Sequence, residues 1–257
     1  MSSFFEMVNV SKNFGGLTAL SDFSLIAAPG ELVGLIGPNG AGKTTVFNII
    51  SGLLTPTFGD IIWKGHYITD LSAHKRASAG IARTFQNIRL FSDLTVLENV
   101  LVSLHCSIKS NFLQAMLSSP RYRSEERRML HQSMKYLERM GLEQFSSETA
   151  GNLPYGLQRK LEIARALAAE PRLLLLDEPV AGMNPIESIE IARLVRSIRD
   201  ELGISILLIE HDMKFVMDVC ERIKVLDHGL TIAEGSPAQI RKNPVVVKAY
   251  LGTANYA

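Results

Sequence analysis

Residues Gly37 to Thr45 read GPNGAGKTT, and this stretch decides the fold of the chain. It follows the phosphate-loop pattern, in which a glycine and four further residues precede Gly42, Lys43 and Thr44. Glycines let the backbone turn so that successive N–H groups point at phosphate oxygens. The largely apolar run 31–36 before the loop predicts a strand, and a helix predicted after it would favour an anion at its N-terminus. This context predicts a nucleotide triphosphate site.

The loop assigns a role to each side chain that can contact the nucleotide. Lys43 would place its charge near the β- and γ-phosphates, and the Thr44 hydroxyl is placed to hold Mg²⁺. The predicted nucleotide-binding residues of the loop are Gly37, Pro38, Asn39, Gly40, Ala41, Gly42, Lys43, Thr44 and Thr45.

Composition narrows the class of protein. The 257 residues suit one large domain or a core with a subdomain, and 46% hydrophobic residues can bury a sizeable core. The net charge of +1 argues against nucleic acid or an anionic membrane surface as the main partner. No signal peptide is evident, and the longest apolar runs are too short to span a bilayer. We therefore expect any membrane role to depend on partner proteins.

An acidic pair follows a predicted buried strand. Leu173–Leu176 leads directly into Asp177 and Glu178. Ligands gather at the carboxyl ends of parallel strands, so Asp177 is predicted to hold the magnesium shell. Glu178 is predicted to orient or polarise a water for in-line attack on the γ-phosphate. A pair of capping carboxylates is the structural alternative.

A second predicted buried strand, Ile204–Ile209, is followed by Glu210, His211 and Asp212. A lone histidine after a strand is usually structural. This one is expected at the end of a strand beside that of Asp177, which favours contact with the γ-phosphate.

The remaining pattern predicts a helical insertion and an N-terminal β region. Thr95 to Glu98 is a capping box, and residues 125–140 have helical apolar spacing, so residues 87–150 are predicted to be an inserted helical subdomain. The nucleotide-binding core then comprises residues 1–86 and 151–257. Phe4–Val10 and Leu17–Leu25 are predicted strands joined by a turn at residues 12–16. Phe14 in that turn could stack on a base or be an ordinary edge-strand core aromatic.

Order and spacing of these motifs resemble the ATP-binding subunit of an ABC transporter over nearly the whole chain. The resemblance implies an α/β fold: a P-loop NTPase core with a mixed sheet, an antiparallel β subdomain and the helical insertion. It also implies ATP and Mg²⁺ as ligands and stacking of Phe14 on adenine. The implied catalytic residues are Glu178, His211 and Gln86. The implied metal residues are Thr44, Gln86 and, through water, Asp177.

The segment that matches the family signature departs from the common LSGGQ form. Here Leu153 to Leu157 reads LPYGL, and Pro154 provides neither a hydroxyl nor a backbone N–H. The N–H groups of Tyr155 and Gly156 remain to contact the nucleotide of a partner subunit in trans. Asn184 also stands where the family usually has aspartate. These departures imply two unequal sites and favour a heterodimer, with a homodimer left open.

Several segments resemble the larger ATP-binding subunit of high-affinity branched-chain amino-acid importers: LPYGLQRKLEIARAL, AGMNP, LLIEHDM, GIARTFQNIRLF and NPVVVKAYLG. The resemblance implies a second, similar ATPase, two permease subunits, a substrate-binding protein and no nucleic-acid partner. It places the chain at the cytoplasmic face of the inner membrane, bound through the permeases. Asn87 to Leu101 would be the permease-docking surface.

Other functions stay open at this stage. The cargo could be urea or another amide, another amino acid, or a lipid. A switch acting on ribosomes or DNA is disfavoured because the chain has a single nucleotide unit and a net charge of +1. A subunit that scarcely hydrolyses ATP is suggested by Pro154 and opposed by intact Glu178 and His211.

Overall fold

The computed structural model describes residues 4–105 and 120–251. The chain divides into two compact units. The first unit comprises residues 1–83 and 172–257, and the second comprises residues 84–171. The insertion at residues 87–150, part of which lies outside the described residues, stays a prediction.

An antiparallel sheet forms the N-terminal part of the first unit, as predicted. Its strands are β1 (Phe5–Phe14), β2 (Leu17–Ala27), β4 (Phe58–Trp63) and β5 (His66–Tyr67), in the order β2-β1-β4-β5. The predicted turn at residues 12–16 is wrong in extent, because β1 continues to Phe14 and pairs there with Leu17. Two glycines suffice for the hairpin loop, and Gly15 has a φ of 56°.

A mixed sheet forms the rest of the first unit, also as predicted. Its strands are β3 (Leu32–Ile36), β6 (Ile81–Arg83), β7 (Leu173–Asp177), β8 (Ser205–Ile209), β9 (Arg222–Asp227) and β10 (Leu230–Gly235). The order is β10-β9-β3-β8-β7-β6, with only the β9–β10 pair antiparallel among these described strands. The residues of β3, β7 and β8 are all buried, which accounts for their apolar runs.

Register aligns the carboxyl ends of the three central strands. Leu35 of β3 and Asp177 of β7 both pair with Ile209 of β8. The phosphate loop, the acidic pair and the His211 segment therefore leave the sheet along one edge, where ligands bind in parallel α/β sheets.

The helices in chain order are α1 (Lys43–Ile50), α2 (Ala73–Ser78), α3 (Val96–His105), α4 (Pro120–Met140), α5 (Tyr155–Ala168), α6 (Pro185–Leu202), α7 (Met213–Val219), α8 (Pro237–Lys242) and α9 (Pro244–Leu251). Helix α6 begins with a capping box: the Asn184 side chain accepts from the backbone N–H groups of Ile186 and Glu187 at 2.9 and 3.0 Å. None of the helices among residues 4–105 and 120–251 is long and apolar enough to cross a bilayer.

Helices α3, α4 and α5 pack together as the second unit. The predicted capping box of α3 is confirmed, because Thr95 accepts from the Glu98 N–H at 3.1 Å and Glu98 accepts from the Thr95 N–H at 2.8 Å. Helix α4 begins five residues before the predicted residue 125 and ends at Met140, as predicted. Met129, Leu137 and Met140 are buried and give this unit its own core.

Arg76 of α2 is buried and holds the C-terminal end of α1, the helix that begins in the phosphate loop. Its guanidinium donates to the carbonyls of Ile50 at 3.1 Å, Leu71 at 2.9 Å and Thr69 at 2.7 Å, and also to that of Ile49. Burial lowers the pKa of Arg76. A cation at a helix C-terminus complements the helix dipole, so Arg76 anchors α1 both by charge and by hydrogen bonds.

We expect Arg76→Met to lower the free energy of unfolding by about 3 kcal/mol, because several buried carbonyls lose their donor. Urea denaturation of the full chain measures this loss. Lys75→Met, an exposed neighbour on the same helix, is the control and should change stability by less than about 0.5 kcal/mol. Equal effects of the two substitutions would contradict the anchoring role.

Candidate nucleotide-binding site

The phosphate loop connects β3 to α1 in a space that neighbouring backbone makes tight. A Cβ atom on Gly37 would lie 2.1 Å from the carbonyl oxygen of Leu226, so no side chain fits there. Gly42 has a φ of 103°, and a Cβ on it would lie 2.7 Å from the carbonyl oxygen of Ala19. Both glycines are therefore required by the path of the backbone as well as by the phosphates they are expected to bind.

Lys43 extends across its own loop. Its Nζ donates to the carbonyls of Gly37 at 2.7 Å and Pro38 at 2.9 Å. Burial lowers the pKa of Lys43, and this effect is opposed by the charges of Glu178 and Asp177. The predicted lysine and acidic pair thus lie within electrostatic reach of each other. Thr44 follows in the first turn of α1 and is exposed.

Asp177 is the last residue of β7, and its carboxylate is buried in an ion pair. Nη2 of Arg83 lies 2.8 Å from Oδ2 of Asp177, while Nη1 of Arg83 donates to the Asn48 side chain at 2.7 Å. Arg83 was not predicted from the sequence. The available signal was a single basic residue at the end of a short apolar strand, Ile81–Arg83.

Glu178 has a φ of 46°, a left-handed conformation that is unusual for a residue other than glycine. Its backbone N–H donates to the carbonyl of Ile209 at 2.9 Å, which holds this turn against β8. Such a conformation costs on the order of 1–3 kcal/mol and is concentrated at functional sites. The Glu178 carboxylate lies 3.7 Å from Nδ1 of His211, so the structure brings these two predicted catalytic residues together.

Glu210 is fully buried and connects the two turns that carry Glu178 and His211. One carboxylate oxygen accepts from the N–H of Val180 at 3.0 Å. The other accepts from the N–H groups of His211 at 2.9 Å and Asp212 at 3.1 Å. Burial raises the pKa of Glu210. Glu210 stands beside His211 in the sequence, but its role was not predicted, because its partner Val180 is distant along the chain.

Phe14 ends β1 with 44% of its surface exposed, and Nζ of Lys12 lies 5.2 Å from its ring centroid. The exposure rules out the interpretation of Phe14 as a core aromatic. Stacking on adenine stays a prediction.

In the second unit, the backbone of Gln86 is fixed by a buried ion pair that sequence reasoning missed. Arg159 of α5 donates to the carbonyls of Phe85 at 2.7 Å and Gln86 at 2.8 Å, and pairs with Glu162 at 2.7 Å. Glu162 in turn accepts from the Phe85 N–H at 3.1 Å. Arg159 also donates to the Tyr155 hydroxyl at 3.2 Å, so the signature helix and the Gln86 segment form one network. The available signal was an Arg–Glu pair at helical spacing i, i+3.

The signature segment begins α5. Pro154 is the N-cap, and its carbonyl accepts from the N–H groups of Leu157 and Gln158 at 3.0 Å each. The N–H groups of Tyr155 and Gly156 lie in the first turn, where no intrahelical acceptor is available. This geometry is suited to an anion. Gln86 and the signature segment belong to the second unit, whereas the other predicted site residues belong to the first.

A phosphate loop at a helix N-terminus and an acidic pair at the end of a parallel strand of the same sheet define a P-loop nucleotide triphosphatase. The comparisons with known proteins identify the family. Residues 20–181 match the family described as ABC transporter, and residues 231–255 match that described as branched-chain amino acid ATP-binding cassette transporter. The chain belongs to the ABC transporter family, as the motifs indicated, and is an ATP-binding ABC ATPase.

Two curated relatives align over nearly their whole length. BraF of Pseudomonas aeruginosa, a high-affinity branched-chain amino acid transport ATP-binding protein, is 45% identical over 97% of this chain and 98% of that protein. LivG of Escherichia coli, which has the same description, is 46% identical over 94% of each chain.

Solved structures confirm the fold. The ADP conformation of MJ1267, an ATP-binding cassette of an ABC transporter, has a TM-score of 0.86 and 31% identity, and the match covers 98% of this chain and 100% of that one. MJ0796, an ATP-binding cassette whose post-hydrolysis state with ADP and Pi is dimeric, has a TM-score of 0.76 and 27% identity, with 91% and 98% covered.

We expect Glu210→Gln to lower the free energy of unfolding by about 1–3 kcal/mol, because an amide nitrogen cannot accept from the backbone donors that the carboxylate now satisfies. Urea denaturation of the full chain tests this. The exposed Glu143 provides the control, since Glu143→Gln should be nearly neutral. A Glu210→Gln variant as stable as wild type would show that the carboxylate does not hold the two turns.

Proposed function

We propose that this chain is the ATP-hydrolysing subunit that energises an importer of branched-chain amino acids. The observation that carries the proposal is the match to branched-chain amino acid transport proteins, which extends from the phosphate loop to the C-terminal segment 231–255. The site geometry supports hydrolysis as well as binding, because β8, which His211 follows, pairs with both the strand that leads into the loop and the strand that ends at the acidic pair.

The donor set near the loop fits a magnesium ion that accompanies ATP. Mg²⁺ takes oxygen ligands, keeps several waters and usually uses one or two protein groups together with substrate phosphates. The Thr44 hydroxyl and, through a bound water, the Asp177 carboxylate would provide such oxygens, and Gln86 is the third predicted metal residue. When bound, the ion would neutralise charge that develops on the phosphates.

The residues of the first unit have distinct roles in hydrolysis. Lys43 binds the β- and γ-phosphates, and Phe14 stacks on adenine. Glu178 accepts a proton from the attacking water, whose oxygen bonds to the γ-phosphorus as the bond to the ADP oxygen breaks. His211 contacts the γ-phosphate, held close to Glu178 by the turns that Glu210 connects. ADP and inorganic phosphate are the products.

A second, similar ATPase subunit completes the proposed site. The first-turn N–H groups of Tyr155 and Gly156 would bind the γ-phosphate held by the partner. Loss of the signature serine at Pro154 and of aspartate at residue 184 favours a heterodimer with unequal sites.

The proposed permease-docking surface is residues 87–101 of the helical insertion 87–150. Phe91 is exposed there, and its backbone is held by the buried side chain of Asn99, which accepts from the Phe91 N–H at 3.0 Å and donates to its carbonyl at 2.9 Å. A fixed loop with an exposed aromatic residue is suited to contact a partner protein. Two permeases, supplied by a substrate-binding protein, would hold the chain at the cytoplasmic face of the inner membrane.

Glu178→Gln should lower ATP turnover by at least about 100-fold, because the amide cannot accept the proton of the attacking water. ATP should remain bound, since Glu178 is not a predicted phosphate contact. Phosphate release and retention of labelled ATP by the assembled transporter measure the two effects. Glu143→Gln serves as the control. Turnover at the wild-type rate would contradict the proposed role of Glu178.

Cells that lack this chain should lose uptake of labelled leucine, regain it with the wild type, and not regain it with Lys43→Ala. Labelled urea and a basic amino acid are measured in parallel. Loss of uptake of urea or the basic amino acid, with normal leucine uptake, would refute branched-chain amino acids as the cargo and leave the ATPase assignment intact. Where no uptake changes, binding to ribosomes and DNA at moderate salt tests the remaining class of function.

A further inference from the structure

Arg83 lies between the two elements that carry the proposed magnesium ligands. It ends β6, and its backbone pairs with Leu175 of β7, two residues before Asp177. One arm of its guanidinium, Nη2, reaches Oδ2 of Asp177 at 2.8 Å. The other arm, Nη1, donates to Oδ1 of Asn48 at 2.7 Å and to the Ser51 hydroxyl at 3.3 Å. A single side chain therefore joins the end of β7 to α1.

The α1 end of this connection lies close to Thr44. Asn48 follows Thr44 by four residues, so the two side chains are one turn apart on the same face of the helix. The ring of Phe47, which is fully buried, lies 5.4 Å from the guanidinium carbon and adds a cation–π contact. The position of Arg83 is thus set from the helix as well as from the sheet.

Burial makes this connection strong and specific. The side chains of Arg83 and Asp177 are 7% and 6% exposed, so water screens their attraction little. The planar guanidinium fork holds both partners at fixed angles, which a lysine ammonium cannot do. The carboxylate of Asp177 is therefore held in one orientation relative to the turn of α1 that carries Thr44.

We infer that Arg83 is a positioning residue for the magnesium site, acting through Asp177. The inference rests on the proposed function, which assigns Thr44 and Asp177 to the magnesium shell. Residues whose hydrogen bonds orient metal-binding groups typically contribute 10–100-fold to metal affinity. An ion pair that only stabilised the fold would leave metal affinity unchanged.

The test measures how strongly magnesium promotes nucleotide binding. Calorimetry on the full chain gives the Kd of a non-hydrolysable ATP analogue with Mg²⁺ and with EDTA. The ratio of the Kd in EDTA to the Kd with Mg²⁺, called the magnesium advantage, is compared between variants. Arg83→Gln should lower the magnesium advantage by about tenfold. The Kd in EDTA should change less than about twofold, because the phosphate loop is intact. Arg83→Lys keeps the charge without the planar fork, so its magnesium advantage should lie between those of the wild type and Arg83→Gln.

Arg222→Gln is the matched control. Arg222 forms an ion pair with Glu31 at 2.7 Å in the same unit, at the start of β9, away from the proposed ligands. This variant should lose stability but keep the wild-type magnesium advantage.

Asp177→Asn separates the inference from the proposed function. If Asp177→Asn leaves the magnesium advantage unchanged, the proposed magnesium role of Asp177 is wrong. If it lowers the advantage and Arg83→Gln does not, only the positioning role is refuted. Tighter magnesium-dependent binding by Arg83→Gln would also refute it, since the guanidinium would then compete with the metal. Should Arg83→Gln fail to fold, Arg83→Lys and Asn48→Ala test the positioning role instead. Both are expected to lower the magnesium advantage, and a wild-type value in both would refute the role.

Discussion

Parallel pairing of β3, β8 and β7 is the constraint on which the site depends. Leu35 and Asp177 are both aligned with Ile209, so three loops from distant parts of the chain leave the sheet together. The apolar runs that form these strands bury them completely, which fixes register because any slip would change which side chains face each layer. The positions of the predicted site residues are thus a consequence of hydrophobic packing in the sheet.

Buried polar side chains then hold in place the segments that follow the ends of these strands. Arg76 holds the far end of α1, Arg83 joins α1 to Asp177, and Glu210 ties the turns around Glu178 and His211. Each of these side chains restricts the positions that its partners can take, since a buried donor or acceptor without a partner is costly. The unusual backbone of Glu178 is held by the hydrogen bond from its own N–H to the carbonyl of Ile209 and by the hydrogen bond from the Val180 N–H to Glu210.

In the second unit, too, buried polar side chains hold loop backbone in place. Arg159 and Glu162, one turn apart on α5, hold the backbone of Phe85 and Gln86, and Tyr155 at the start of the signature helix contacts the same arginine. A substitution in the signature segment therefore acts on the Gln86 segment as well.

The sequence by itself determined the phosphate loop, the acidic pair, the central strands, the cap at Thr95 and the family, because these depend on local spacing and backbone chemistry. Its prediction of a turn over residues 12–16 was wrong in extent, since hairpin pairing with β2 extended β1 to Phe14 and left only Gly15 and Gly16 in the turn. Only the tertiary structure decided that Arg83 reaches Asp177, that Glu210 reaches Val180, and that Glu178 adopts a positive φ. The two contacts join residues far apart in the chain, and no local periodicity encodes either them or the conformation of Glu178.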